Sequence, residues 1–207
     1  MEEQNQQPLE TLHDIKRIME RSSRFISLSG LSGIAAGICA TVGSWIAWQW
    51  INDYDLAGNF SDHDFDQLKT KLLLLAVAVL AVALVTAFYF TWRKASHNKM
   101  PVWDHTSRRL IINMLIPIIA GGLFILSMLQ YHEWRFAAPA SLIFYGVALV
   151  NASRYTLSDV KYLGAMQIAL GLINTQIIGY GLYFWAAGFG LLHIIYGLLM
   201  WWKYDRK

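Results

Sequence analysis

The sequence predicts an all-α polytopic membrane protein with six transmembrane helices. The clearest observation is Tyr162–Trp202, a run of 41 residues that contains no Asp, Glu, Lys or Arg. As one helix this run would be roughly 60 Å long at ~1.5 Å per residue, about twice the ~30 Å hydrocarbon core of a bilayer. The run therefore predicts two crossings. Gly179 and Gly181 near its middle permit the tight turn that joins them.

Composition supports a multi-span membrane protein. The 207 residues are 56% hydrophobic and 14% aromatic, and the mean hydropathy is +0.36, values typical of chains that lie largely in lipid. The net charge of +3 does not indicate a nucleic-acid partner, because Lys and Arg flank the apolar runs and form no single patch. Cys39 is the single cysteine, so the sequence predicts no intramolecular disulfide and no cysteine metal site.

Each remaining helix is predicted by its own charge-free run. These runs are Phe25–Asn52, Leu72–Trp92, Leu110–His132 and Phe136–Ser153. Each has at least the ~18 residues that one crossing requires. The six predicted helices lie at about 25–50, 71–92, 110–130, 136–152, 161–178 and 182–202. They form one transmembrane domain, residues 25–202, between a polar N-terminal segment, residues 1–24, and a short tail, residues 203–207.

The Lys and Arg residues predict the orientation. With six spans, the N-terminus, the 93–109 loop, the 153–161 loop and the C-terminus share one side, which holds 14 of the 17 Lys and Arg residues. Because short cytoplasmic loops collect these residues, the sequence predicts a multi-pass protein of the cell inner membrane with both termini cytoplasmic. The N-terminal segment has apolar residues near helical spacing between basic ones, which predicts an amphipathic helix on the anionic membrane surface.

The first two predicted helices differ in the faces they present. Ser29, Gly33 and Gly37 place small residues at a spacing of four, which lets two helices approach closely in lipid. This helix-packing face forms the interface of a homodimer or, as we favour, packs against another helix of the same chain. The second helix is Leu, Ala and Val throughout Leu72–Val85, so we expect it to face lipid over much of its circumference.

The fifth and sixth predicted helices carry the candidate polar pocket, formed by His193, Gln167, Asn174 and Gln176. His193 and Gln167 come out at similar depths, counted from the turn between the two helices. Ionisable groups inside a span often mark a ligand site or a proton path. The alternative, which we favour, is a neutral structural histidine hydrogen-bonded to Gln167 or to a backbone carbonyl. The sequence predicts no metal and no cofactor, because no second ligand accompanies His193 within its spans.

A proline interrupts the third predicted helix. Pro117 removes one backbone donor and frees one carbonyl, and Asn113 and Asn151 lie at a similar depth. The group is either a gate or a packing adaptation in which the amide side chains have their own hydrogen-bond partners. We favour the packing adaptation.

Function is constrained mainly by exclusion. The chain has no HExxH, Gly-x-Ser-x-Gly or P-loop motif and no carboxylate inside a predicted span, so no catalytic residue is assigned. We expect a non-enzymatic sensor, chaperone or accessory subunit that recognises membrane lipids or a membrane partner protein, or that forms a homo-oligomer. The alternatives are a small transporter or channel that uses the candidate pocket, and a lipid-modifying enzyme with His193 as base.

Overall fold

The computed structural model describes residues 29–58, 62–99 and 103–206, apart from the side chains of Asp62 and Asp205. Within these ranges the regular structure is entirely helical, which confirms the all-α class. Five helices are long and apolar enough to cross a membrane. The remaining one has 17 residues, at the short end of the spanning range. The amphipathic helix predicted within residues 1–24 lies outside the described residues.

The helices follow one another in the predicted order. The first five are α1 (Gly30–Ala57), α2 (Asp62–His97), α3 (His105–Gln130), α4 (Ala137–Ala152) and α5 (Val160–Gln176). The sixth, α6, is one continuous helical rod of four parts. Its α-helical parts, Gly181–Trp185 and His193–Met200, alternate with the π-helical parts Ala186–Leu192 and Trp201–Asp205.

The α1–α2 hairpin is longer than its apolar runs. Both helices extend beyond the predicted spans 25–50 and 71–92, and α1 ends at Ala57, before Gly58, whose φ of 65° is left-handed. A charge-free run marks only the part of a helix inside hydrocarbon, whereas backbone hydrogen bonding continues into the aqueous layer. In this extension the ring of Phe65 packs edge-on against Trp134, with centroids 5.1 Å apart. The contact ties the hairpin to the turn before α4.

The six helices form two groups of three. In the first group α1 packs against both α2 and α6, and in the second group α4 packs against both α3 and α5. Contacts between the groups are less extensive and come mainly from α6, which meets α4 and α5. We call this boundary the seam. Two short covalent connections cross the seam: residues 98–104 join α2 to α3, and the turn at residues 177–180 joins α5 to α6.

The small-residue face of α1 lies against α6 of the same chain. Ser29 is buried, and a Cβ added at Gly33 would lie 3.1 Å from the Cα of Gly197. One added at Gly37 would lie 2.7 Å from the carbonyl oxygen of Gly190. These distances leave no room for a side chain, so the two backbones are in direct contact. The first group is therefore built around a glycine-lined helix pair.

A second glycine-lined pair joins α4 and α5. A Cβ at Gly146 would lie 2.7 Å from the carbonyl oxygen of Gly164, and the reverse distance is the same. Two turns along α5, a Cβ at Gly171 would lie 2.9 Å from the carbonyl oxygen of Pro139. The sequence analysis did not identify this face, although Gly164 and Gly171 stand seven residues apart, a spacing that places them on one side of a helix.

The backbone carbonyl that Pro117 leaves without a donor accepts a hydrogen bond from the neighbouring helix. Proline at position 117 cannot donate to the carbonyl of Asn113, four residues earlier. The side chain of Asn151 on α4 donates its Nδ2–H to this carbonyl oxygen at 2.9 Å. This hydrogen bond supports the packing adaptation over the gate, and it joins α3 to α4 inside the second group.

Candidate functional site

His193 and Gln167 meet across the seam, near the middle of α6. Gln167 lies in the row of buried residues along α5, and His193 opens the α-helical part that follows the first π-helical segment of α6. The side chain of Gln167 is 0% exposed and that of His193 is 6% exposed. Their nearest side-chain nitrogens, Nε2 and Nδ1, are 3.4 Å apart.

The carbonyl oxygen of Gly188 lies between these two side chains. Gln167 donates its Nε2–H to it at 2.8 Å, and His193 Nδ1 lies 3.0 Å from the same oxygen. A carbonyl oxygen can only accept, so Nδ1 must carry a hydrogen. The 3.4 Å separation of the two nitrogens is then a contact between two donors that share one acceptor, and is not a hydrogen bond of its own.

Tyr145 on α4 completes the network. With Nδ1 protonated, Nε2 of neutral His193 keeps a lone pair, and the Tyr145 hydroxyl lies 2.9 Å from it. The hydroxyl therefore donates to Nε2, and the two bonds together fix one tautomer of the imidazole. Tyr145 was not among the site residues predicted from the sequence. The signal was a tyrosine inside an apolar helix, because a buried phenol needs a hydrogen-bond partner.

Aromatic rings surround this polar cluster. Phe189 lies 5.1 Å from Tyr145 and 5.0 Å from Trp185, measured between ring centroids. Its ring is nearly parallel to the imidazole of His193, at 16° and 6.0 Å. The hydrogen bonds of the cluster are therefore shielded on this side by apolar surface, which strengthens them.

Glycine at position 188 makes room for the amide of Gln167. A Cβ added at Gly188 would lie 2.5 Å from Gln167 Oε1 and would also collide with Leu142. Gly188 belongs to the π-helical segment Ala186–Leu192, and such wide turns are frequent at functional sites. The site thus depends on a backbone feature that residue types alone do not reveal.

Asn174 and Gln176 lie apart from this cluster. Asn174 is buried and donates to the carbonyl oxygen of Ile177 at 3.3 Å, where α5 ends. It is seven residues, or ~10 Å, along α5 from Gln167. Gln176 is exposed and donates to the hydroxyl of Thr175 at 3.2 Å. Of the four candidate pocket residues, the structure brings together His193 and Gln167.

A second polar contact crosses the seam at the end that lies near the C-terminus. Asp159, just before α5, accepts hydrogen bonds from Lys203 Nζ at 2.7 Å and from the Tyr204 hydroxyl at 3.0 Å. The hydrogen bond from Lys203 is the main reason why the pKa of Asp159 is lowered. We call Asp159, Lys203 and Tyr204 the latch.

These features define a polytopic all-α membrane protein with a buried hydrogen-bond network between two helix groups. In the described part of the chain, no three His, Cys, Asp or Glu residues are grouped to hold a metal ion. No protein-family profile, curated protein or solved structure matches this chain. The site is therefore interpreted from its own chemistry.

Proposed function

We propose that this chain is a small non-enzymatic integral membrane protein that recognises membrane lipid, as a sensor or an accessory subunit does. The carrying observation is that both nitrogens of His193 are engaged, by Tyr145 and by the carbonyl of Gly188. A general base needs a free lone pair within reach of its substrate. Here the lone pair is already bonded, and the imidazole is almost fully enclosed, which fits a structural role inside a recognition protein.

The partner that α2 favours is lipid. In the apolar part of this helix no residue is buried, and it packs chiefly against α1. Leu74, Val77, Val85 and Phe88 are all exposed along its length. Between Leu72 and Val85 the helix offers no hydrogen-bonding side chain to a partner protein. Lipid acyl chains can cover this surface of α2, because they require only apolar contacts.

A continuous series of contacts links this lipid-facing helix to the polar cluster. Gly43 of α1 packs directly against Val79 of α2. One turn and a half before it, Gly37 packs against Ile194 of α6, next to His193. A change in the tilt of α2, such as a change in bilayer thickness imposes, is transmitted through these close-packed contacts to α6.

The orientation belongs to this proposal. Fourteen of the 17 Lys and Arg residues lie on the side that holds both termini, and this bias favours a cytoplasmic location for the termini in the cell inner membrane. The latch then lies at the cytoplasmic surface, and the turn between α5 and α6 lies at the opposite surface.

Hydrogen–deuterium exchange in lipid nanodiscs of short and long acyl chains tests lipid sensing. We expect amides around the latch, at the start of α5 and the end of α6, to exchange at rates that depend on chain length. Gly43→Leu, which separates α1 from α2, should remove this dependence, whereas Gly122→Leu is the control because nothing lies within 4 Å of a Cβ there. Identical exchange in all bilayers would refute lipid sensing.

A small transporter is the second candidate, and one observation favours it. Gln167 Oε1, Asn174 Oδ1 and the Tyr196 hydroxyl are buried without a hydrogen-bond partner among the described residues. Unpartnered polar atoms along α5 and α6 are typical of helices that line a polar path. Solute flux into vesicles that contain the protein, reduced by Gln167→Leu, would favour transport over recognition.

A further inference from the structure

Along the seam, α5 and α6 are joined covalently at one end only. Between α5 and α6 the turn at residues 177–180 holds the two groups together covalently, and Gly179 in this turn has a φ of 97°. Asn174 adds a hydrogen bond to the carbonyl of Ile177 in the same turn. At the opposite end α5 and α6 are joined by the latch, which is non-covalent. The turn is therefore the hinge, and the latch closes the far end.

The latch is a weak closure. The side chain of Lys203 is 58% exposed and that of Asp159 is 26% exposed. Ion pairs so open to water gain little net free energy, because solvent screens them and ordering the side chains costs entropy. The apolar cluster beneath it consists of Leu149, Leu157, Val160, Leu163 and Met200. Of these five, Met200 alone comes from α6, and Leu192 and Tyr196 of α6 pack against the cluster. The second group therefore keeps four of the five buried side chains when the groups separate.

Tyr196 lies between the latch and the polar cluster. It is three residues, or ~4.5 Å, along α6 from His193, and it packs beside the apolar cluster. Its buried hydroxyl has no hydrogen-bond partner among the described residues. In the closed seam this hydroxyl is unsatisfied, and an opened seam would give it a partner.

We propose that the seam opens at the latch into a cleft that binds a small uncharged molecule able to accept and donate hydrogen bonds. Tyr196 is the first polar group in this cleft, and Tyr145 and His193 form its floor. The ligand is uncharged because, within the described residues, no Asp, Glu, Lys or Arg lies between the latch and the turn on α5 or α6 beyond Lys161 at the rim. Phe189 and the rings around it supply apolar contact. This inference does not depend on lipid sensing.

Cysteine reactivity in nanodiscs tests the cleft. The reporter is Tyr196→Cys in a Cys39→Ser background, and the probe is a small neutral methanethiosulfonate reagent, which reacts with thiols that contact water. We expect Asp159→Asn, which weakens the latch, to raise the reaction rate by about twofold to fivefold, the range that the loss of an exposed ion pair allows. The matched control is Asp66→Asn, which breaks the Lys69–Asp66 ion pair at the other end of the molecule and should leave the rate unchanged.

An anionic reagent of similar size tests the class of ligand. In the latch variant it should react with Tyr196→Cys several-fold more slowly than the neutral reagent does, whereas Arg206→Cys, on the surface, should react with both at similar rates. A rate at Tyr196→Cys that Asp159→Asn does not change would overturn the cleft. Equal rates with the two reagents would overturn its preference for uncharged ligands. Neither result bears on whether exchange near the latch depends on acyl chain length.

Discussion

The hydrogen-bond network around His193 joins three helices. Its donors and acceptors match a neutral imidazole. Its Nδ1–H donates to the carbonyl of Gly188 in its own helix, and its Nε2 accepts from Tyr145 on α4. Gln167 on α5 donates to the same carbonyl. In hydrocarbon an unsatisfied polar group costs several kcal/mol, so each of these bonds stabilises the packing of its helix.

The bond between Tyr145 and His193 should be measurable as a coupled pair. Tyr145→Phe removes the donor and His193→Leu leaves the tyrosine hydroxyl unpaired, so each should lower the free energy of unfolding by ~1–3 kcal/mol. The double variant should be little worse than His193→Leu alone, because both changes remove one interaction. Unfolding in detergent measures these values, with the exposed Tyr183→Phe as control. Additive losses would show that the bond is absent.

Part of this site could be predicted from the sequence. Equal depth along two consecutive helices brought His193 and Gln167 together correctly, because a short turn fixes their relative register. Tyr145 could not be placed, because its contact depends on how α6 packs against a helix that is not its neighbour in sequence. Gly188 could not be identified either, since the π-helical turn that aims its carbonyl leaves no clear residue pattern.

In α3, a backbone hydrogen bond that proline removes is replaced by a side chain of the neighbouring helix α4. Pro117 leaves the carbonyl of Asn113 without its usual donor, and Asn151 replaces that donor from α4. The sequence predicted that these residues belong together, because all three lie at a similar depth. It gave no donor for the freed carbonyl, because the relative rotation of the two helices is a property of their packing.

A compensating pair of substitutions tests this repair. Asn151→Leu should lower the free energy of unfolding by ~1–3 kcal/mol, because it leaves the carbonyl of Asn113 unpaired in an apolar surrounding. Pro117→Ala restores a backbone N–H at position 117, so Pro117→Ala with Asn151→Leu should recover most of that loss. Thermal unfolding of the two single variants and the double variant measures the recovery. If the double variant is less stable than Asn151→Leu, the amide does not serve this carbonyl.

The helix boundaries show a related limit of sequence reasoning. Charge-free runs located all six helices, because hydrocarbon excludes charged side chains. They underestimated the lengths of α1 and α2. These two helices continue as a hairpin beyond the apolar segment, and in that extension Phe65 packs against Trp134. The end of an apolar run marks where lipid ends, and capping and aromatic packing decide where the helix ends.

At the scale of the whole molecule, the two groups of helices differ in what holds them together. Within each group, glycine-lined contacts such as those of Gly37 and Gly164 bring backbones into direct contact. Across the seam, the contacts are the His193 network, a few side chains and the latch. In α1, small residues at a spacing of four indicated the first kind of contact in the sequence, whereas the glycine-lined contact of α4 with α5 was not predicted. The division into two groups depends on long-range packing and had no sequence signal.

Pulsed electron paramagnetic resonance in nanodiscs tests the central claim, that two helix groups meet at a seam hinged at the turn and closed by the latch. One spin-label pair, at Ser158 and Arg206, reports the latch end, and another, at Gln176 and Tyr183, reports the turn. Asp159→Asn should lengthen or broaden the first distance and leave the second unchanged. Because the pKa of Asp159 is lowered, the latch is complete above the usual carboxyl pKa, and acidification through the lowered value should have the same effect. Unchanged distances at the latch end, or equal changes at both ends, would contradict the account.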